Sequence, residues 1–525
     1  MSTEPRRGAA RGLRVLSGIA VLGLAAAAVV GGTRLAPASG AAAAPALVDV
    51  PPSQATEVCP GPLIMPTGSG STKFDPAPVA PVTSVTVLSA PDTGVSGAGD
   101  VRALATSAVL AHLSSDTPAA ALTGTTGPVV VRAEPGASGG ARVAATALGL
   151  VTDGDLRGLA AETCTAPTAD AWLVGGSTDL GRTAALVLVN PGSTAAEVTV
   201  EVWGPNGALE LAGGSQLVPP HGTREVTLEA VAAAQRSLVV HVRATGGQVS
   251  AWVQDVAVRG FTPAGTDLVV PGAAPARRLT VPGLLVQAST VDSPDAPVLH
   301  LLAPGGTDTT ATVSLLGSDG PVTLPGAGTV ALTAGAVTDL PLGGLPAGQY
   351  TVVVQADQPV VAAAEMSRVG TPGPLDSQPR VERAWAAATA AGGGLVVPAP
   401  GTADTLVVGA VPHTGDPTVQ GTGSAASATG TLRLLRSDGS VLQENQISVD
   451  AGTTAAWPLA TLVPDPTQVA GVSLVTADGP VDVSWALVAE RSQADGTLVS
   501  LLLPAPEPVA AGQIAVRQDP SVGLG

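Results

Sequence analysis

Few residues in this chain have the types and spacing that chemistry requires. Gly136-Ala137-Ser138-Gly139-Gly140 fits the Gly-x-Ser-x-Gly pattern, and a strand-like run from Val129 to Arg132 precedes it. A serine in that pattern is a nucleophile only where a parallel sheet, a following helix, and acid and histidine partners further along complete the elbow. The chain lacks the α/β alternation, so the segment reads as a Gly-Ser turn, and Ser138 is the one residue on which a hydrolase reading could rest. The five histidines, His112, His221, His241, His300 and His413, show no metal-ligand spacing. His241 falls on the outward face of an alternating strand beside Arg243 and is expected to be solvated. Asp153-Gly154-Asp155 has no EF-hand pattern around it and reads as a turn. Lys73 is the sole lysine and follows no glycine-rich phosphate loop. The expectation is a protein with no catalytic residues, no metal and no cofactor, hence not an enzyme.

Two residue types remain. Cys59 and Cys164 are the only cysteines. Two distant cysteines with no histidine beside them make no ligand set, and in an exported chain they most simply form one disulfide. The tryptophans are Trp172, Trp203, Trp252, Trp385, Trp457 and Trp485. Exposed aromatic faces could stack on sugars, so Trp203, Trp252 and Trp485 are taken as the candidate interaction surface. Trp203 shares a strand face with Thr199 and Glu201, opposite Val198, Val200 and Val202. Leu316 and Leu435 occupy its place in two related segments, which points to packing under a turn.

Those related segments define the elements that position everything else. Val198 to Gly207 reads as an alternating strand closing on Asn206-Gly207, and it returns as Ala311 to Gly320 and as Gly430 to Gly439. Asp319-Gly320, Asp438-Gly439 and Asp478-Gly479 are read as hairpin turns. Pro191 to Gly207 and Pro304 to Gly320 both span 16 residues, and from turn to turn the period is 113 and then 119 residues. That is the size of one β-sandwich domain, not of a propeller blade or a solenoid turn. Gly335 and Gly452 are matched to Gly222. The first folded stretch is read with strands at Val82 to Leu88, Pro128 to Arg132 and Ala141 to Val151, and with a short helix over Asp100 to Leu113. Whether it is a diverged copy of the others stays open; Cys59-Pro60-Gly61-Pro62-Leu63 resembles the opening Val281-Pro282-Gly283-Leu284-Leu285.

At the N-terminus, Arg6, Arg7, Arg11 and Arg14 precede an uncharged run from Val15 to Thr33. Nineteen helical residues span about 28 Å, close to one hydrocarbon core. The positive flank keeps that end cytoplasmic and sends the rest out. An uncleaved anchor and a cleaved signal peptide both remain open; Arg34 and the length favour the anchor, the Ala/Gly content favours cleavage. Formal net charge is −17, and beyond Arg34 the chain holds 19 basic and 40 acidic groups. An acidic body of this kind lacks the basic face that nucleic acid or anionic lipid requires.

The N-terminal run, the Cys-Pro-Gly start, the second cysteine ahead of Trp172-Leu173-Val174-Gly175-Gly176, and Leu186 to Gly192 running into Val198 to Gly207 together resemble a family of actinobacterial membrane-anchored or secreted proteins known only as a domain of unknown function. The resemblance implies a cell-envelope setting and transfers no active site. The expected fold class is all-β: tandem immunoglobulin-like β-sandwich domains after a single N-terminal transmembrane helix. The expected organisation is a cytoplasmic tail (1–14), a transmembrane signal anchor (15–33), an Ala/Pro-rich linker (34–58), a first β domain with the disulfide (59–170), three β-sandwiches (171–280, 281–396, 397–507) and a tail (508–525). The leading functional expectation is a non-enzymatic envelope protein, anchored in the cell membrane or secreted, that presents tandem β domains for protein interaction or structural support. Its expected partners are the membrane, through the helix, and envelope proteins or polysaccharide, with no nucleic acid. The alternatives are a carbohydrate-binding or polysaccharide-assembly accessory, and a hydrolase.

Overall fold

The computed structural model describes residues 23, 46–50, 54–65, 79–90, 98–135, 140–210, 214–322, 324, 328–374, 376–413, 426–506 and 512–516. The Val15–Thr33 run, Lys73 and Ser138 lie outside the described residues, apart from Gly23. Among the described residues no helix is long and apolar enough to cross a membrane. Of the described residues 59% are strand and 3% helix, so the fold is nearly all-β. Two compact units are formed, one of residues 52–510 and one of residues 1–51 with 511–525. In the smaller unit Ala46–Val50 pairs antiparallel with Gly512–Val516. The stretches read as linker and tail therefore contain strands, and the linker range also includes most of the strand Ala55–Cys59 of the larger unit.

The alternating pattern folds as written. In the strand Ala196–Gly204, Val198, Val200 and Val202 are buried while Glu197 and Thr199 point to solvent. The strand turns back at Gly207, whose φ of 122° is open to glycine at little steric cost; Gly320 (124°) and Gly439 (78°) do the same in the related segments. Asp478-Gly479 differs from them. It joins Gly471–Thr476 in one sheet to Val481–Gln493 in another, so it is not a hairpin turn. The match of Gly222 to Gly335 and Gly452 is also off by one: His221 takes the left-handed conformation, at φ 50°, that Gly335 and Gly452 take in their copies.

Four stretches of the larger unit build the same pair of antiparallel sheets. With the strands of each stretch numbered one to eight, and the fourth split into Gly207–Leu209 with Ser215–Val218 in the second stretch and Gly320–Val322 with Thr329–Leu332 in the third, one sheet has the order 1-6-3-4 and the other 5-2-7-8. In the first stretch the eight are Ala55–Cys59, Val82–Ser89, Gly99–Ala103, Val109–Leu113, Ala119–Thr123, Val129–Ala133, Val143–Val151 and Gly158–Thr163. The helix read over Asp100 to Leu113 is thus a strand hairpin, with Asp100 opposite His112. Its alanine content suggested helix, and pairing with Val129–Ala133 overrides that preference. In the third stretch, strands six and seven are the two ends of one continuous strand, Gly348–Val369, which pairs with Thr309–Gly317 in one layer and with Val298–Leu302 in the other. The first stretch shares the full strand order, which its sequence alone did not show.

The eighth strands, Gly158–Thr163, Thr262–Val269, Val381–Ala387 and Gly496–Leu502, each close one edge of a 5-2-7-8 sheet. They pack on one another in a closed circuit: the first against the second, the second against the third, the third against the fourth, and the fourth against the first. Close crossing needs a missing side chain at Gly265, where φ is 108° and a Cβ would stand 2.5 Å from the backbone nitrogen of Arg383. The four sheet pairs surround this junction.

Candidate functional site

Cys59 and Cys164 are joined by a disulfide within the apolar core of the first sheet pair, beside Val85, Val131 and Val143. The proposed aromatic surface fares differently. Trp252 is 0% and Trp485 1% exposed, so neither ring has a face to offer a ligand. Trp252 lies on a strand covered on both faces; it is wedged among Val58, Leu104 and Val130 of the first pair and Val189 of its own. Trp485 fills the core of the fourth pair with Leu406, Leu432 and Leu487.

Trp203 is half-buried and does pack, though not beneath its own turn. It lies against a cluster in which Trp172 and Val239 meet Leu302, Val337 and Val361 of the third pair. Its counterparts repeat the role. Leu316 meets Val411 of the fourth pair, and Leu435 meets Leu88 and Ala144 of the first. Leu104, at the same place in the first pair, meets Val189 and Trp252 of the second. One recurring apolar position thus joins each sheet pair to the next around the ring.

His241 is buried, not solvated. Its ring stacks on Trp172 at 3.9 Å between centroids, and Trp172 stacks on Trp203 at 5.5 Å. Its two ring nitrogens reach Glu201 and Asp170, each at 3.0 Å. The alternation placed His241 correctly on the outer face, but two indoles cover that face. What remains open to solvent is the pair of carboxylates, Asp170 and Glu201, with Arg243 bonded to Glu201 at 3.1 Å.

The junction holds most of the buried charge. Arg157, 1% exposed, reaches from the first pair to Asp495 of the fourth at 2.9 Å and to Glu382 of the third at 3.7 Å. Arg380 also holds Asp495, at 2.8 Å, and Asp153 of the first pair at 2.9 Å. The Asp153-Gly154-Asp155 segment is a turn, with Gly154 N–H bonded to the Asp153 carboxylate. Arg182 of the second pair binds Asp255 at 2.6 Å and Glu365 of the third at 3.0 Å, and Arg383 binds Glu365 at 2.6 Å. Burial pushes the Glu365 carboxyl up, but Arg182, Arg383 and His300 outweigh it and hold the group well below the usual range. His300 is pushed up to about 9: burial opposes the charge, and Asp339 and Glu365 more than offset that.

Glu162 and Asp267 face each other from neighbouring junction strands. Burial drives Asp267 up to about 7, and burial with the Asp267 charge drives Glu162 well above its usual value. Burial likewise raises Glu382. Two carboxyls sharing a proton resemble an acid–base dyad. A dyad must reach a substrate, however, and these side chains are 3% and 1% exposed in a packed crossing. The pair fixes geometry. A recurring signal was present in the sequence: a carboxylate or hydroxyl inside each apolar eighth strand, at Glu162, Asp267, Glu382 and Ser500. Among the described residues no group of three or more His, Cys, Asp or Glu side chains could hold a metal.

Among the grooves that the described residues form on the larger unit, one of about 410 Å³ is lined by Leu63, Val187, Trp252 and Leu268, and two others are larger. One of about 950 Å³ runs between the edge strand Ala119–Thr123 and the 397–405 segment, with Asp404 and Glu490 on its walls. Glu490 is paired with Arg368 at 3.0 Å. The other, about 560 Å³, follows the edge strand at Gln54 to Glu57.

Residues 119–394, just over half of the chain, match the model of a family of unknown function (DUF5719). No curated protein matches the chain significantly. Among solved structures, Thermotoga maritima 1070 is 17% identical with a TM-score of 0.17, over 22% of this chain and 95% of that one. The pilus adhesin SpaC from Lactobacillus rhamnosus GG, in its open conformation, is 10% identical with a TM-score of 0.11, over 82% and 57%. The infectious bursal disease virus Gt strain protein is 11% identical with a TM-score of 0.08, over 93% and 90%. At such TM-scores these likenesses carry no argument about fold or function.

Proposed function

The chain belongs to the family of unknown function DUF5719, and from that premise we propose that it is a non-enzymatic, extracytoplasmic cell-envelope protein that holds a ring of β-sandwich domains as an interaction scaffold. The observation that carries this reading is the junction. Its buried ionisable groups lie where the four sheet pairs cross, and there they link one pair to another. The four sheet pairs, 55–163, 170–269, 276–387 and 394–502, support a four-domain reading, with each first strand beginning a few residues ahead of the bounds expected at 59, 171, 281 and 397. Each pair is immunoglobulin-like in its layering, although its first strand lies beside the sixth, where immunoglobulin constant domains pair the first with the second.

The Cys59–Cys164 disulfide fits an oxidising compartment. The arginine-flanked Val15–Thr33 run supplies the route there, as an uncleaved anchor or as a signal that is removed and leaves a secreted protein. A C-terminal epitope on intact cells tests the location. Reaction with an impermeant reagent is expected; labelling only after lysis, with both thiols free, would overturn the reading.

A carbohydrate-binding role is the second reading. It is favoured by one observation, the half-buried Trp203 beside exposed Asp170 and Glu201. Retention on a glycan array that disappears with Trp203→Ala would support it; absence of retention by the unaltered protein would remove it.

A further inference from the structure

The groove at Gln54 to Glu57 contains an acid that nothing in the fold neutralises. Glu57 lies on Ala55–Cys59, the edge strand of its sheet. Alternation puts it on the same face as Cys59, toward the interior of the first sheet pair, and it is 8% exposed. Among the described residues its carboxyl has no hydrogen bond and no ion pair, although its backbone lies opposite Val131 in the ladder. Burial alone pushes its carboxyl up to about 8. A buried carboxyl without a partner is destabilising in its charged form, and ordinarily a cation or a set of N–H donors accompanies it.

The backbone beside it is open as well. Val58 exchanges both of its main-chain hydrogen bonds with Thr165, at 2.9 and 3.0 Å, across the outer side of the edge strand. Thr56, two residues back, points its N–H and C=O the same way. The residue that would face it is Pro167, which has no N–H, and among the described residues nothing pairs with Thr56 on that side. Pro167, Pro191 and Gln248 form the opposite wall of the groove.

We propose that this groove receives an extended peptide segment of a partner protein, adding a strand at Thr56 and seating one lysine or arginine side chain against Glu57. An inward-facing charge on an edge strand deters indiscriminate strand pairing. A segment carrying the matching cation is the kind of strand such a guard admits, so one residue supplies both the exclusion and the selection. The chain's net charge of −17 draws a basic partner toward it. The other charged residue in the lining is Arg132, opposite Thr56 in register, which disfavours a second cation close to the first. Glu134 is engaged by Gln54, and Arg142, just ahead of the strand Val143–Val151, is turned to Ser473 at 2.7 Å. This deepens the reading of the chain as an interaction scaffold and rests on it for the identity of the partner as an envelope protein.

The test is a calorimetric titration of the full-length protein with an acetylated, amidated Thr-Val-Lys-Val-Thr peptide and with its norleucine counterpart. The lysine peptide should bind about tenfold tighter at pH 8.5, where Glu57 is ionised, and most of that advantage should vanish at pH 6.5, because binding must then displace a proton. Glu57→Gln copies the protonated side chain, keeps the fold, and should erase the preference. Equal binding of the two peptides, no binding of either, or a preference that survives Glu57→Gln would each overturn the proposal. The location of the protein in the cell, on which the scaffold reading depends, is untouched by these outcomes.

Discussion

Ser500 and Asp267 are 233 residues apart in the chain, and Ser500 Oγ lies 3.2 Å from Asp267 Oδ1. The same hydroxyl accepts the Ala161 N–H at 3.1 Å and lies 3.0 Å from the Ala161 carbonyl. One side chain thus ties the fourth sheet pair to the second and the first at the centre of the ring. Ser500→Ala removes the acceptor of a buried N–H, and the expected loss is about 1–3 kcal/mol in denaturant unfolding. A variant as stable as the parent would show that water replaces the hydroxyl.

The carboxylates around Arg157 are not equivalent. Asp495 is the closer, and although burial opposes its charge, Arg157 and Arg380 hold it below the usual carboxylate range. Burial raises Glu382, at 3.7 Å, well above the usual carboxylate range. Asp495→Asn should therefore strand the buried Arg157 cation and destabilise by about 3–5 kcal/mol, whereas Glu382→Gln, which copies the protonated acid, should stay within about 1 kcal/mol. The order of the two unfolding midpoints decides; a reversed order would mean that Glu382 carries the charge.

Stability should peak in mildly acidic solution. Glu162, Asp267 and Glu382 have folded values raised above their unfolded ones, as does Glu57 at about 8. Folding then binds protons that the unfolded chain has released. For Asp267 and Glu57 that contribution is complete below about pH 4 and is lost as pH rises through about 7 and about 8 respectively, and Glu162 and Glu382 act in the same direction. His300, raised to about 9, contributes below about pH 6.5 and loses that contribution as pH rises through 9. Glu365, Asp339 and Asp495 have lowered values and act in the other direction, stabilising above about pH 4 and failing in stronger acid. The melting temperature is expected to be highest near pH 5 and to fall toward pH 9. Asp267→Asn should flatten the fall between pH 5 and 8; an unchanged slope would locate the titrating groups elsewhere.

The disulfide closes a loop with a sequence separation of 105 residues within the first sheet pair. Its removal by Cys59→Ala with Cys164→Ala should lower stability by up to about 4–5 kcal/mol in the chain-entropy model. Reduction with dithiothreitol should lower the melting temperature of the parent and leave that of the double variant unchanged.

What could be read from the sequence was local. The alternation of Val198, Val200 and Val202 and the turn at Gly207 gave one strand, and its two later copies gave the period, because strand geometry and turn chemistry act over a few residues. Whether the first stretch is a further copy stays open in the sequence because Asp100 to Leu113 is rich in alanine and its pairing partner lies about 30 residues on, at Val129–Ala133. Trp252 and Trp485 show a related limit: alternation tells which face a residue occupies, and only packing tells that both faces are covered. His241 lies on the outer face that alternation gives it, and its cover there, the Trp172 ring, comes from packing. The junction residues Glu162, Asp267 and Glu382 carry no local mark in the sequence that four eighth strands meet.

The recurring apolar position provides the sharpest test of the ring. If Leu435 served only its own sheet pair, Leu435→Ala would loosen the fourth core. Its buried neighbours instead include Leu88 and Ala144 of the first pair, and Gly471 stands where any Cβ would approach within 2.4 Å of Leu88. The substitution should cost about 2–5 kcal/mol locally. In hydrogen exchange, faster amide exchange is expected in Val82–Ser89 and in Gly394–Val396, which also lies in that cluster, while Leu474 and Leu487, deep in the fourth core, keep their protection. An even rise throughout the fourth pair, with Val82–Ser89 unaffected, would mean that Leu435 belongs to its own core and that the fourth pair meets the first only at the central junction.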